Sequence, residues 1–139
     1  MFYKPKNISE IMMKPEEFPI LHEDDFLVKS IQTMTKMKIG ITCVINKKSK
    51  LVGVITDGDI RRTFVKKQKP LGALLVENCS DSMIKKPQTA KENESVVNVL
   101  KRLISKKILD LPVVDKNNKL VGLVHMRSLA KLLYDNYQK

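Results

Sequence analysis

The sequence predicts a mixed α/β chain of the α+β kind, made of two βαββα repeats packed as a pseudo-twofold pair. Three observations carry that prediction: an internal repeat at constant offset, amphipathic helical spacing ahead of each copy, and near-continuous Val/Ile/Leu runs within it. The stretch Val44–Thr56 (VINKKSKLVGVIT) reappears as Val113–His125 (VVDKNNKLVGLVH), always 69 positions on, with six of 13 positions identical and four exchanged conservatively. Coincidence does not produce that register, and repeats define architecture before any single element does.

Taken in order, each copy opens on a short extended lead-in, Phe18 to Leu21 and Gln88 to Ala90. A helix follows. Leu27, Val28, Ile31 and Met34 match Val96, Val97, Leu100 and Leu103 at the same offset, and the i, i+1, i+4, i+7 spacing gives each helix one apolar face. Two apolar strands come next, joined by the polar turns Lys47–Lys50 and Lys116–Lys119, which suit a hairpin connection. A closing helix is expected from Ile60 in the first copy, and after Ser128, as its N-cap, in the second. Farther upstream Met12 corresponds to Met83 at an offset of 71, which places two extra residues in the first copy around Lys14–Glu17. Strands this uniformly apolar need cover on both faces. One copy of about 60 residues leaves a face bare, so the pair is the expected folding unit. The expected boundaries are 7–64 for the first repeat, 65–78 for a connector with Pro70 and Gly72, and 79–135 for the second.

The 139 residues, 42% apolar and 29% charged, place the chain among globular domains, and 26 Lys+Arg against 15 Asp+Glu give a net charge of +11. That charge makes an anionic partner worth testing but says nothing of fold. No apolar run approaches the roughly 18 residues of a membrane span, and Met1–Lys6 carries no apolar leader core, so no membrane association and a cytoplasmic location are expected. Cys43 and Cys79 lack paired metal or redox spacing, and Cys43 inside ITCVI reads as a core thiol. Two histidines without ligand spacing argue against a metal site, and no Ser-His-Asp set, Cys-His set or P-loop suggests catalysis. Lysine clusters such as Lys66–Lys69 raise a nucleic-acid reading, but 5% aromatic content and the lack of a recognition motif make it the weaker one.

The chemistry-bearing stretch is Thr56-Asp57-Gly58-Asp59-Ile60-Arg61-Arg62. One reading is a capping box, with Thr56 accepting from a first-turn N–H and Asp59 complementing the helix dipole. The other is a ligand site. A helix start and a hydroxyl hold phosphate, the carboxylate accepts from ribose hydroxyls, and Arg61 and Arg62 offer guanidinium forks to a phosphate or sugar-acid carboxylate. Gly58 leaves room for a ligand to reach the backbone, or is simply part of an Asp-Gly turn. The second copy carries His125 and Ser128 where the first has Thr56 and Asp59. His125 reads either as a polar strand end or as a group reaching an anionic ligand.

These residues resemble the tandem cystathionine-β-synthase (CBS) domain pair, or Bateman module, over about Ile8 to Leu133. The run Leu51–Arg62 is similar to the regulatory part of bacterial arabinose-5-phosphate isomerases, with support from Ile11-Met12, Pro19 and Gly122–Met126, and a similar run occurs in CBS modules of sugar nucleotidyltransferases. The resemblance implies a regulatory, non-catalytic module that requires no cofactor. It implies a small phosphorylated ligand in the cleft between copies, AMP- or ATP-like or a CMP-sugar. Pro19, Ile20, Ile41 and Thr42, with Thr89, Ala90, Leu111 and Pro112, would form the pocket walls. It further implies a flat homodimer and, in a longer parent protein, a covalently attached sugar-isomerase domain; a stand-alone CBS protein is the alternative.

Overall fold

The computed structural model describes residues 7–138; Met1–Lys6, read above for a leader, lies outside the described residues. The chain is mixed α+β, with a four-stranded and a three-stranded sheet and six α-helices among the described residues. The described residues divide into two compact units: Glu16–Pro87 form one, and residues 7–15 together with 88–138 form the other. These units cross the sequence repeats, because the turn that leads into each repeat packs on the sheet of the other.

The Glu16–Pro87 unit begins with β1 (Ile20–His22), α1 (Leu27–Met37), β2 (Ile41–Ile45) and β3 (Leu51–Thr56). It continues through α2 (Asp57–Lys67), α3 (Leu71–Leu75), α4 (Cys79–Ser82) and β4 (Ile84–Lys85). The sheet order is β1-β2-β3-β4, parallel between β1 and β2 and antiparallel thereafter. Leu27 and Met34 on α1 pack with Leu21, Val44, Ile55, Ile60 and Cys79 in one core. The β2–β3 turn is closed by Asn46, whose Oδ1 accepts from the Lys48 and Lys50 amides at 2.9 and 3.1 Å while Ser49 takes φ 63°. The lead-in strand sits at Ile20–His22, slightly later than expected, because the Pro19 carbonyl accepts the Cys43 amide as the chain joins β2. The connector is not a bare linker. It holds the last turn of α2 and all of α3, and Lys67 and Lys69 clamp Glu77 at 2.7 and 3.0 Å, holding its carboxyl below the usual carboxylate range.

The other unit contains β5 (Ala90–Lys91), α5 (Val96–Lys106), β6 (Asp110–Val114), β7 (Leu120–His125) and α6 (Met126–Tyr137), in sheet order β5-β6-β7. Asp115 closes its β6–β7 turn as Asn46 closes the first, accepting from the Asn117 and Lys119 amides at 2.8 and 3.0 Å, with Asn118 at φ 62°. Ile8 is fully buried in this core with Ala90, Val99, Leu103, Leu111, Val113 and Val124. Its amide donates to the Glu94 carbonyl at 2.9 Å, and Met13 exchanges both backbone hydrogen bonds with Leu123 at 2.7 and 3.1 Å.

Both lead-in turns depend on a glycine. A Cβ at Gly122 would lie 2.6 Å from Met12 Sδ and 2.9 Å from the Met13 carbonyl oxygen; at Gly53 it would lie 2.5 Å from Met83 Sδ and 2.9 Å from the Ile84 carbonyl oxygen. Because the second obstacle in each case is backbone, a side chain there must push a β-bridge apart. Gly122→Ala is therefore expected to lower stability by about 1–3 kcal/mol, the usual range for overpacking. Urea denaturation checks it; an unmoved midpoint would show that the Met12–Met13 segment yields freely.

Candidate functional site

Thr56 leaves β3 in extended conformation (φ −113°, ψ 165°), and α2 starts at the next residue. Helix α2 thus begins at Asp57, three residues before the Ile60 expected, because the Thr56 hydroxyl caps the third helical residue and so fixes the helix start immediately after itself. The Asp59 amide donates to Thr56 Oγ1 at 3.2 Å, and the Thr56 amide and hydroxyl both donate to Asp59 Oδ2 at 2.9 Å. This is a closed capping box. Asp59 is 8% exposed, and its other oxygen, Oδ1, accepts from Arg62 Nη2 at 2.7 Å. Arg62 turns back along the helix onto the box, while Arg61 is exposed.

Gly58 lies in the first helical turn, not in a separate Asp-Gly turn. A Cβ there would meet only the Arg62 guanidinium at 3.1 Å, the movable end of a side chain. Asp57 is exposed, and its Oδ2 occupies the space a Gly40 Cβ would need, 2.6 Å away, while its amide donates to the Gly40 carbonyl at 3.1 Å. Asp57 also borders a groove of about 420 Å³ between the end of α1 and α2, walled by Met34, Lys38, Ile60 and Phe64.

The remaining expected residues separate by unit. Pro19, Ile20, Ile41 and Thr42 share the first unit with the capping box, and Ile41 is the cross-strand partner of Thr56. Ile41 is buried, and so is Thr42, whose hydroxyl is engaged by Ser30 at 2.8 Å. Thr89, Ala90, Leu111, Pro112 and His125 lie in the second unit. Ala90 and Leu111 are core, Pro112 is buried, and the Thr89 carbonyl accepts from Arg102 Nη1 at 2.7 Å.

In the second copy the cap falls on a different residue from the one expected. Ser128 is inside α6; His125 is the N-cap, its Nδ1 accepting the Arg127 amide at 2.9 Å. The extended backbone of His125 at the strand end places the ring nitrogen where a capping oxygen would sit, which leaves Ser128 no terminus to cap. Reading the sequence also missed Asp110, whose Oδ1 lies 3.3 Å from His125 Nε2. Burial pushes its carboxyl up to about 7, and burial together with Arg127 holds His125 below its usual value. The available signal was a carboxylate in the apolar run Ile-Leu-Asp-Leu-Pro, where the repeat offset has Ile41. Among the described residues no cluster of three or more His, Cys, Asp or Glu could hold a metal ion, and no helix is long and apolar enough to cross a membrane.

Two βαββ repeats with a capped helix after each third strand define a class, and comparison with known proteins names it. The CBS-domain family matches residues 8–66 and 76–135, so the chain belongs to the CBS-domain family as a tandem pair. It is 30% identical over 125 residues to an uncharacterised protein of Rickettsia prowazekii and to the arabinose 5-phosphate isomerase of Francisella tularensis. Each match covers 90% of this chain but 37% of the relative, so the chain spans little more than a third of their length. An uncharacterised protein of Methanocaldococcus jannaschii is 29% identical, with 91% of this chain and 90% of that protein covered. Among solved structures, CBSX2 of Arabidopsis thaliana in complex with AMP superimposes with a TM-score of 0.83 at 19% identity, covering 94% of this chain and 98% of that one. The CBS domain pair of the protein MJ0100, in complex with 5′-methylthioadenosine and S-adenosyl-L-methionine, gives 0.79 at 24% identity, with 94% and 98% covered.

The capping box has its own energetic signature. Thr56→Ala removes the acceptor for the Asp59 amide and is expected to destabilise the chain by about 1 kcal/mol, whereas Thr56→Ser keeps the hydroxyl and most of the stability. Paired urea titrations decide it, and equal midpoints for the alanine and wild-type chains would remove the cap from the energetic account.

Proposed function

We propose that this chain is a ligand-sensing regulatory CBS pair that binds a nucleotide or nucleotide sugar through the start of α2. One observation carries the reading: the Thr56 hydroxyl, the largely buried Asp59 carboxylate and the Arg62 guanidinium meet at one helix N-terminus, with Arg61 exposed beside them in sequence. First-turn amides and a positive helix end favour phosphate. Asp59 accepts paired hydroxyls, as a ribose offers them, once Arg62 releases Oδ1 and turns its fork to the phosphate. Proteins of this fold crystallised with AMP, and with S-adenosyl-L-methionine and 5′-methylthioadenosine, support an adenosine-containing ligand. A CMP-sugar is the rival ligand, and the Francisella relative supports a module that regulates an attached arabinose-5-phosphate isomerase. The module itself is not catalytic in this reading, and it acts as a homodimer in the cytoplasm.

A stand-alone CBS protein is a second reading that one observation favours: the Methanocaldococcus relative matches this chain over nearly its own full length. Both readings share the ligand site and differ in what it controls.

Thermal unfolding with AMP, ATP, CMP and a CMP-sugar tests the site. A ligand held at about 100 times its Kd stabilises the folded chain by about 2.7 kcal/mol, and Asp59→Ala is expected to abolish that gain. No upward shift with any of them at millimolar concentration would overturn the proposal.

A further inference from the structure

The proposed ligand site makes no use of a second titratable cluster, formed by Asp110 on β6 and His125 on β7. The two are cross-strand partners whose side chains keep 12% and 18% of their exposure. Asp110 Oδ1 is sealed from solvent without a hydrogen bond, and His125 Nε2 lies 3.3 Å from it. The other ring nitrogen, Nδ1, accepts the Arg127 amide, so the ring proton of neutral His125 sits on Nε2, the nitrogen beside the carboxyl, without completing a hydrogen bond to it. The next amide back, that of Met126, donates to the Leu109 carbonyl at 3.0 Å. One imidazole therefore touches a buried acid on one side and the first turn of α6 on the other. In the first copy the same cross-strand places hold Ile41 and Thr56, which cannot exchange protons near neutrality.

We propose that Asp110 and His125 form a proton-sensing pair that couples proton concentration near neutrality to the anchoring of the first turn of α6. A proton on Nδ1 removes the acceptor for the Arg127 amide and sets a cation at the positive end of the helix. Loss of the Asp110 proton leaves a buried carboxylate beside Nε2–H, which strengthens that contact and raises the affinity of the ring for a second proton. The two groups thus titrate as one unit. Burial places the Asp110 step at about 7. The charged groups on the neighbouring elements are Lys91 on β5, which donates to the Asp115 carbonyl at 3.2 Å, Arg102 on α5, which pairs with Glu94, Lys101, Lys106 and Lys107 on and just after α5, and Arg127, Lys131 and Asp135 on α6. Lys131 and Asp135 pair with each other at 2.8 Å, and Arg127 is the charge that acts on His125.

The signs oppose. The folded chain holds the Asp110 proton more tightly than the unfolded chain, so this group's contribution to stability falls as pH rises from about 4 to about 7. It resists protonating His125, so that contribution falls as pH drops below about 6.5.

NMR of the 139-residue chain from about pH 5 to about pH 9 provides the test, following the His125 ring and the Arg127 amide. In the wild type both signals are expected to move together in two steps. Asp110→Asn should leave one step, displaced by about half a pH unit or more, roughly threefold in proton concentration. His125→Asn keeps an N-cap acceptor, and its Arg127 amide should not titrate. An Arg127 signal that ignores the ring in wild type, that titrates unchanged in His125→Asn, or that follows the wild-type curve in Asp110→Asn overturns the proposal. Should Asp110→Asn fail to fold, the wild-type and His125→Asn curves decide alone.

Discussion

A methionine thioether laid on a bare glycine backbone holds each unit closed. Met12 covers Gly122 and Met83 covers Gly53, and in each case a fully buried residue of the same lead-in turn, Ile8 or Cys79, enters the core of the sheet beneath. The consequence is covalent interlacing. The core around Leu111 and Val124 contains Ile8 from the start of the chain, and the core around Val44 and Ile55 contains Cys79 from beyond the connector. Neither sequence repeat carries all of its own core. The two extra residues of the first copy fall where the chain passes from one unit to the other, at the short 3-10 turn Pro15–Glu17. They give length to the passage without disturbing either sheet.

What the sequence made legible was local. Helices α1 and α5 follow from apolar periodicity, and both end on left-handed lysines, Lys38 and Lys107, that the repeat offset superimposes. The Asn46 and Asp115 turns keep the same hydrogen bonds for the same reason: a short acceptor two and four residues ahead of its donors is encoded within five positions. The Thr56–Asp59 box was readable too, since its partners stand three apart, although the helix was expected to start at Ile60 rather than directly after the cap at Asp57. The exchange of lead-in turns left no local mark. Met12 and Gly122 are distant in sequence, and only the register of a long-range bridge brings them together. Asp110, and its pairing with His125, escaped notice for the same reason, because cross-strand register is set by the whole sheet and not by either residue's neighbours.

The copies diverge where their backbones agree most. Ser30 and Thr42 share a buried hydrogen bond in the first unit; the matching positions of the second are Val99 and Leu111, an apolar pair. Each solution leaves no polar group unpaired there, since replacing both partners together avoids the cost of stranding one. The exchange of Ile41 for Asp110 is different in kind. It leaves a carboxyl oxygen in the second unit without a hydrogen bond, His125 Nε2 lying 3.3 Å away, and burial shifts the acid toward its neutral form.

In the first-copy box the atoms of a structural cap are the same ones that the proposed ligand site would use. Asp59 Oδ2 takes two donors from Thr56, and Oδ1 takes one from Arg62, whose side chain is 64% exposed and free to leave at small cost. In the proposed site, a ligand hydroxyl arriving at Oδ1 would displace a weak surface ion pair rather than the cap. The released guanidinium would then be free to pair with a phosphate, so binding would exchange one hydrogen bond for two without unmaking the helix start. The box supplies the rigidity, the arginine supplies the exchange, and the second copy, which has His125 and Ser128 at the matching positions, can offer neither in the same form.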